Sequence, residues 1–108
     1  MDLVNQKCVP CEGGTQSLTP DEIKPYIENI KDWDLDGNGK RIKKDFKFKD
    51  FKEALSFVNK VGEIAESESH HPDIELGYGK VKIELSTHAI GGLSVNDFIS
   101  AAKIDQLG

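Results

Sequence analysis

Between Ile74 and Leu85 the chain alternates on both sides of a glycine-flanked turn. Ile74, Leu76 and Tyr78 occupy every second position, Val81, Ile83 and Leu85 do the same, and Gly77 and Gly79 lie between the runs. Period two is the period of a strand with one buried face, and two such runs about a glycine turn form a hairpin. A lone hairpin is marginal in water, so its apolar face requires a second layer.

The other segments supply that layer. Ile42, Lys44, Phe46 and Phe48 share a strand face, the lysine being the exception to an apolar set, and Asp36-Gly37-Asn38-Gly39 reads as the turn joining them to a short strand, Trp33–Leu35. Three helices are predicted. Thr19 caps the first, with Pro20 at the first helical position and Glu22 closing a capping box; Pro25 keeps that helix short or bent. Asp50 starts the longest, with Glu53 three residues on and Phe51, Ala54, Leu55, Val58, Val61, Ile64 and Ala65 forming one apolar face. Ser94 caps the last, with Val95, Phe98, Ile99 and Ala102 inward. The order α-ββ-α-ββ-α predicts an α+β fold: a four-stranded antiparallel sheet with helices packed on one face.

At 108 residues the chain forms one domain, long enough to bury roughly two-thirds of its unfolded surface without staples. Residues 1–16 are expected to be a flexible N-terminal extension and residues 17–108 the domain. A net charge of −5 repels phosphate backbones and argues against a nucleic-acid partner. No apolar run spans a membrane and the start has no signal-peptide core, so no membrane partner and a cytoplasmic location are expected. Cys8 and Cys11 form a single Cys-x-x-Cys, without the βαβ context of a redox motif or a second pair to complete a zinc site; a surface pair is expected. Lys40, Arg41, Lys43 and Lys44 read as a solvated strand edge. Gly91-Gly92 lacks the phosphate-loop pattern and instead relaxes the backbone before Ser94.

All three histidines, His70, His71 and His88, fall within the same stretch. Imidazole exchanges protons near neutral pH, its unperturbed pKa being about 6.5. His70 and His71 are predicted to end the long helix, stopped by Pro72, and His88 to end the last strand. Residues 70 and 88 are equally far from Gly79, so a hairpin about that residue brings the imidazoles to one sheet edge. Glu66, one helical turn before His70, is placed to orient a ring. Adjacent histidines point apart and no cysteine lies nearby in sequence, which disfavours a zinc site. Trp33 is expected in the core or at a pocket wall.

Glu66-x-x-x-His70-His71-Pro72-Asp73, Tyr78, Val81-Ile83-Leu85, Ser86-Thr87-His88, Gly91-Gly92-Leu93-Ser94 and Asp97 together resemble the pterin-4a-carbinolamine dehydratases, also called 4a-hydroxytetrahydrobiopterin dehydratases. The likeness runs from about Ser17 to Leu107 and includes Leu18-Thr19, Trp33 and Phe48-x-Asp50-Phe51-x-x-Ala54; the segment about Cys8 and Cys11 is similar to an extension of microbial members. The resemblance implies a lyase that removes water from 4a-hydroxytetrahydrobiopterin to give the quinonoid dihydropterin, in pterin recycling for aromatic amino acid hydroxylation. It implies no cofactor and no metal, with His70 and His88 as acid and base and His71 as the third catalytic-site histidine, holding substrate. Glu66, Pro72, Asp73, Ser86, Thr87 and Trp33 are implied to line or support the pterin site, and Asp97 to support it from the last helix. A homodimer or homotetramer is implied. Ile74 stands where many members carry an aromatic, which keeps an apolar side chain there and removes an aromatic face. The alternatives are a dimerisation cofactor binding a transcription regulator, or the same fold acting on another reduced pterin.

Overall fold

Two hairpins merge into one sheet because their inner strands pair with each other. In the computed structural model, which describes residues 2–8 and 16–107, strand β1 is Asp34–Leu35, β2 Ile42–Lys47, β3 Asp73–Gly77 and β4 Lys80–Leu85. β2 and β4 pair antiparallel from Ile42↔Leu85 to Lys47↔Lys80. β1 lies outside β2 and β3 outside β4, giving the order β1-β2-β4-β3. With helices α1 (Pro20–Ile27), α2 (Phe51–Glu68) and α3 (Val95–Asp105), the fold is the α+β arrangement expected from the alternation.

Strand periodicity sorts the two faces. Ile42, Phe46, Val81, Ile83 and Leu85 point toward the helices and join the core. Registered rows on the far face carry charge: Lys43 opposite Glu84 opposite Asp73, and Asp45 opposite Lys82 opposite Glu75. The lysine in the apolar set has a specific solution. Lys44 Nζ passes 4.8 Å from the Phe46 ring centroid, then donates to Asp105 Oδ1 at 2.8 Å and to the Lys31 carbonyl. Lys44 is therefore half-buried and pinned rather than part of a solvated edge, while Lys40, Arg41 and Lys43 stay exposed. At the β3–β4 turn a Cβ on Gly79 would stand 2.9 Å from the Phe48 carbonyl oxygen. The close approach follows from Phe48 N–H donating to the Gly79 carbonyl at 2.8 Å.

The helices start as their caps dictate. Thr19 Oγ1 accepts from Glu22 N–H while Glu22 Oε1 accepts from Thr19 N–H, and α1 runs only eight residues around Pro25. Asp50 Oδ1 accepts from Glu53 N–H at 2.9 Å. The buried stripe of α2 is Ala54, Phe57, Val61, Ala65 and Glu68, rotated from the expected face, so that Phe51 and Leu55 are exposed. Phe57 causes the rotation: its ring packs 4.6 Å from Phe46 and 5.0 Å from Phe48, and β2 draws that side of the helix inward. α3 is buried from Asn96 to Ala102, with Phe98 stacked on Tyr26 at 5.3 Å.

Residues 2–8 depart from the expected flexible extension. Leu3 is only 3% exposed and belongs to the core, and an apolar side chain held there fixes the segment to the domain body. Cys8 is partly buried against α3 rather than at an open surface; Cys11 lies outside the described residues. Among the described residues no helix is long and apolar enough to cross a membrane.

Candidate active site

α2 stops at Glu68, before the two histidines that its sequence suggests should end it. Ser69 adopts the left-handed conformation (φ 53°), its N–H donating to the Ala65 and Glu66 carbonyls as the chain turns off the helix. His70, His71 and Pro72 form the link into β3, so helical spacing no longer relates Glu66 to His70. On the other side, β4 ends at Leu85 and His88 opens a short 3-10 turn, His88–Ile90, closed by Gly91 at φ 65°. The hairpin register sets Asp73 against Glu84, one residue from the expected symmetry about Gly79, and still carries both ends to one edge.

There His70, His71 and His88 line a single cavity of about 590 Å³, together with Ser86 and Thr87. That volume suits a small bicyclic ligand. Beneath it lies Asp97, fully buried. Asp97 Oδ1 is 2.6 Å from His70 Nε2. Its Oδ2 accepts from Thr87 Oγ1 at 2.8 Å and from the Ser94 backbone N–H at 3.0 Å. Since Thr87 gives its one hydroxyl hydrogen to Asp97, Ser94 Oγ is the donor across the 2.8 Å contact to Thr87 Oγ1. An ionised carboxylate only accepts, so against it His70 Nε2 carries a hydrogen and Nδ1 is the nitrogen left for chemistry. Asp97 thus both caps the start of α3 and fixes the tautomer of a pocket histidine.

The remaining predicted residues divide. Glu66 pairs with His71, not His70: its Oε2 is 2.5 Å from His71 Nε2, both side chains being exposed at the rim. Pro72 and Asp73 flank the histidines in sequence but are not among the cavity-lining residues. Trp33 does not wall the cavity. It is buried in the core, with Nε1 donating to Asp105 at 3.1 Å. An indole so buried needs an acceptor, and Asp105 at the end of α3 supplies it.

Lys7, Cys8, Glu68 and Asn96 also line the cavity and were not read from the sequence as site residues. Glu68 left one signal, a charge where the stripe Ala54-Phe57-Val61-Ala65 would next bury a residue. Its side chain is 4% exposed; Oε1 accepts from Cys8 N–H at 2.8 Å and Oε2 lies 3.5 Å from Lys103 Nζ. The Cys8 amide first, then the Lys103 ammonium, hold the Glu68 carboxyl below its ordinary value of 4.5, against burial that raises it. Burial pushes the Cys8 thiol up, with the Glu68 and Asp97 carboxylates adding to the rise. Among the described residues no group of three or more His, Cys, Asp or Glu is arranged to hold a metal ion.

The family description "pterin 4 alpha carbinolamine dehydratase" matches residues 16–107. A Halorhodospira halophila protein named for that dehydratase is 47% identical over 100% of this chain and 99% of its own length. One of the same name from Alkaliphilus metalliredigens is 51% identical over 97% of this chain and 95% of its own. The solved structure of a "transcriptional coactivator/pterin dehydratase" from Brucella melitensis is similar with a TM-score of 0.81 and 29% identity, covering 85% of this chain and 98% of that one. A pterin dehydratase-like protein, described as a RuBisCO assembly factor in the alpha-carboxysome, shares the fold at a TM-score of 0.62 and 23% identity, over 71% of this chain and 89% of that one.

The lowered carboxyl of Glu68 makes an acid-stability prediction. A carboxyl depressed in the folded state contributes stability that is full above its unfolded value, near 4.5, and is lost as pH falls through the lower folded value. In urea unfolding, the advantage of wild type over Glu68→Gln should therefore shrink as pH is taken from neutral to below 4.5. An advantage that stays constant across that range would contradict the assigned cause.

Proposed function

The chain belongs to the pterin 4 alpha carbinolamine dehydratase family, and on that premise we propose that it removes water from a 4a-hydroxytetrahydropterin by histidine acid/base catalysis. The observation that carries this reading is the buried Asp97–His70 couple at the floor of a cavity that His71 and His88 also line. The hydroxyl at C4a leaves poorly until protonated, so the reaction needs an acid. As the C4a–O bond breaks, a double bond forms between C4a and N5, and a base takes the N5 proton. One water and the quinonoid dihydropterin result. No step calls for a metal or cofactor.

His70 suits the base. Its free Nδ1 accepts the N5 proton, and Asp97 behind Nε2 stabilises the imidazolium that forms. His88 has a solvent-exposed ring at the cavity, reloads from water and acts as the acid that protonates the leaving hydroxyl. His71, steadied by Glu66, holds the substrate at the rim, and Ser86 and Thr87 face it from the β4 side. Pro72 sets the turn into β3 and Asp73 begins that strand; both support the site through the backbone. In this reading the product returns to a reductase that recycles the pterin for aromatic amino acid hydroxylation. Partnership with a transcription regulator, the alternative the resemblance allowed, does not call for His70, His71 and His88 to line one cavity.

The same reading includes self-assembly as a dimer or tetramer. β3 is an edge strand, and α2 leaves Phe51 and Leu55 exposed. Pairable edges and apolar stripes of this kind are commonly covered by a second copy. Light scattering at micromolar concentration should return a multiple of 12.0 kDa; the monomer mass alone would refute assembly.

For the chemistry, His70→Ala and His88→Ala should each lower kcat by roughly 10²- to 10⁴-fold with less effect on KM, the cost of losing one proton-transfer group. His71→Ala should raise KM as well. The double variant should lose less than the product of the single losses, because both groups serve one bond-breaking step. The assay is dehydration of a synthetic 4a-hydroxytetrahydropterin after exhaustive chelation, with folding checked by circular dichroism. Folded single variants that keep near wild-type kcat would remove the histidines from these roles.

A further inference from the structure

We infer that Lys7 and Cys8, at the end of a segment anchored in the core by Leu3, form a built wall of the cavity, and that Glu68 is the positioning residue that holds this wall against the bound pterin. The inference rests on the reading of the cavity as a pterin site and extends it to a segment outside the span matched by the family description, residues 16–107.

Three anchors fix the segment independently. Leu3 is buried in the core at one end. At the other end Cys8 N–H donates to Glu68 Oε1 at 2.8 Å. The Cys8 thiol lies 3.6 Å from the Asn96 carbonyl oxygen and 3.7 Å from Ser100 Oγ, both on α3. Lys7 and Cys8 then face the cavity beside Ser67, Glu68 and His70. A buried carboxylate needs partners on both oxygens, and Glu68 has Lys103 on one and the Cys8 amide on the other. The charge is thus already spent on holding chain in place, which leaves Glu68 a positioning group and not a proton donor. A wall fixed before the ligand arrives costs no ordering on binding, and this is how a residue away from the reacting atoms raises affinity. The effect belongs in substrate binding, because the Glu68 oxygens are engaged by Lys103 and the Cys8 amide rather than by His70 or His88.

The sharpest test is a double-mutant cycle in the full chain. Glu68→Ala removes the acceptor; Cys8→Pro removes the donor and, with the thiol, the contacts to Asn96 and Ser100 on α3. Each should raise KM roughly tenfold, the scale of one net hydrogen bond, with the change falling on KM rather than kcat. The double variant should be no worse than Cys8→Pro alone, since that substitution already breaks the contact Glu68→Ala removes. Glu68→Gln should recover most of the loss, because its amide oxygen still accepts from Cys8. Multiplying effects, or a loss falling on kcat, would overturn the assignment. Hydrogen exchange on the unaltered protein needs no variant. Saturation with a stable 7,8-dihydropterin should slow exchange at the Lys7 and Cys8 amides roughly tenfold, and unchanged exchange with pterin bound would overturn the wall. If the dihydropterin binds and protects these amides but the protein dehydrates nothing, the wall stands and the proposed reaction falls.

Discussion

One buried carboxylate holds the working end of this protein together. Asp97 is fully buried, a position that costs several kcal/mol unless the charge is matched by hydrogen bonds. It is matched from three directions: a backbone amide at the start of α3, a hydroxyl from the segment after β4, and an imidazole from the link after α2. Two of the donors are near Asp97 in sequence, and the third, His70, arrives from the link after α2, so the set is complete only when that link docks on α3. The charge that needs satisfaction is also the charge that sets the His70 tautomer. Stability of the fold end and readiness of the imidazole are therefore one constraint.

The sheet explains why the site lies where it does. Its far face carries registered rows of lysine, aspartate and glutamate, which suit water. Its near face is filled by Phe46, Phe57, Ile83 and Phe98. The histidine cavity opens at the end of the sheet, where α2 stops at Glu68 and β4 stops at Leu85. Both stops are local: a left-handed Ser69 in one case and a 3-10 turn closed by Gly91 in the other.

Period-two alternation and helix caps made the element order legible, because both are set by neighbouring residues. The partition of the histidines was legible for the same reason, as hairpin register follows from the turn. What the sequence could not reveal depended on contacts between distant segments. Glu66 was matched to His70 on the assumption that the helix continues, whereas the left-handed Ser69 reassigns it to His71. The inward face of α2 was misjudged because Phe57 answers to Phe46 on β2 and to Phe48 just after it, not to its helical neighbours. Trp33 was read as core or pocket wall, and the contact that fixes it in the core, with Asp105 at the far end of the chain, left no local trace. Cys8 and Glu68 meet across sixty positions, a pairing that no local pattern encodes.

The claim that Asp97 makes His70 a base is tested most directly by one substitution that keeps shape and removes charge. Stopped-flow dehydration of a 4a-hydroxytetrahydropterin should run well above its spontaneous rate with the wild-type protein. With Asp97→Asn, folded by circular dichroism, kcat should fall by roughly 10²-fold or more, because an amide neither fixes the Nε2–H tautomer nor stabilises the imidazolium. A folded Asp97→Asn protein that turns over near the wild-type rate would contradict the account.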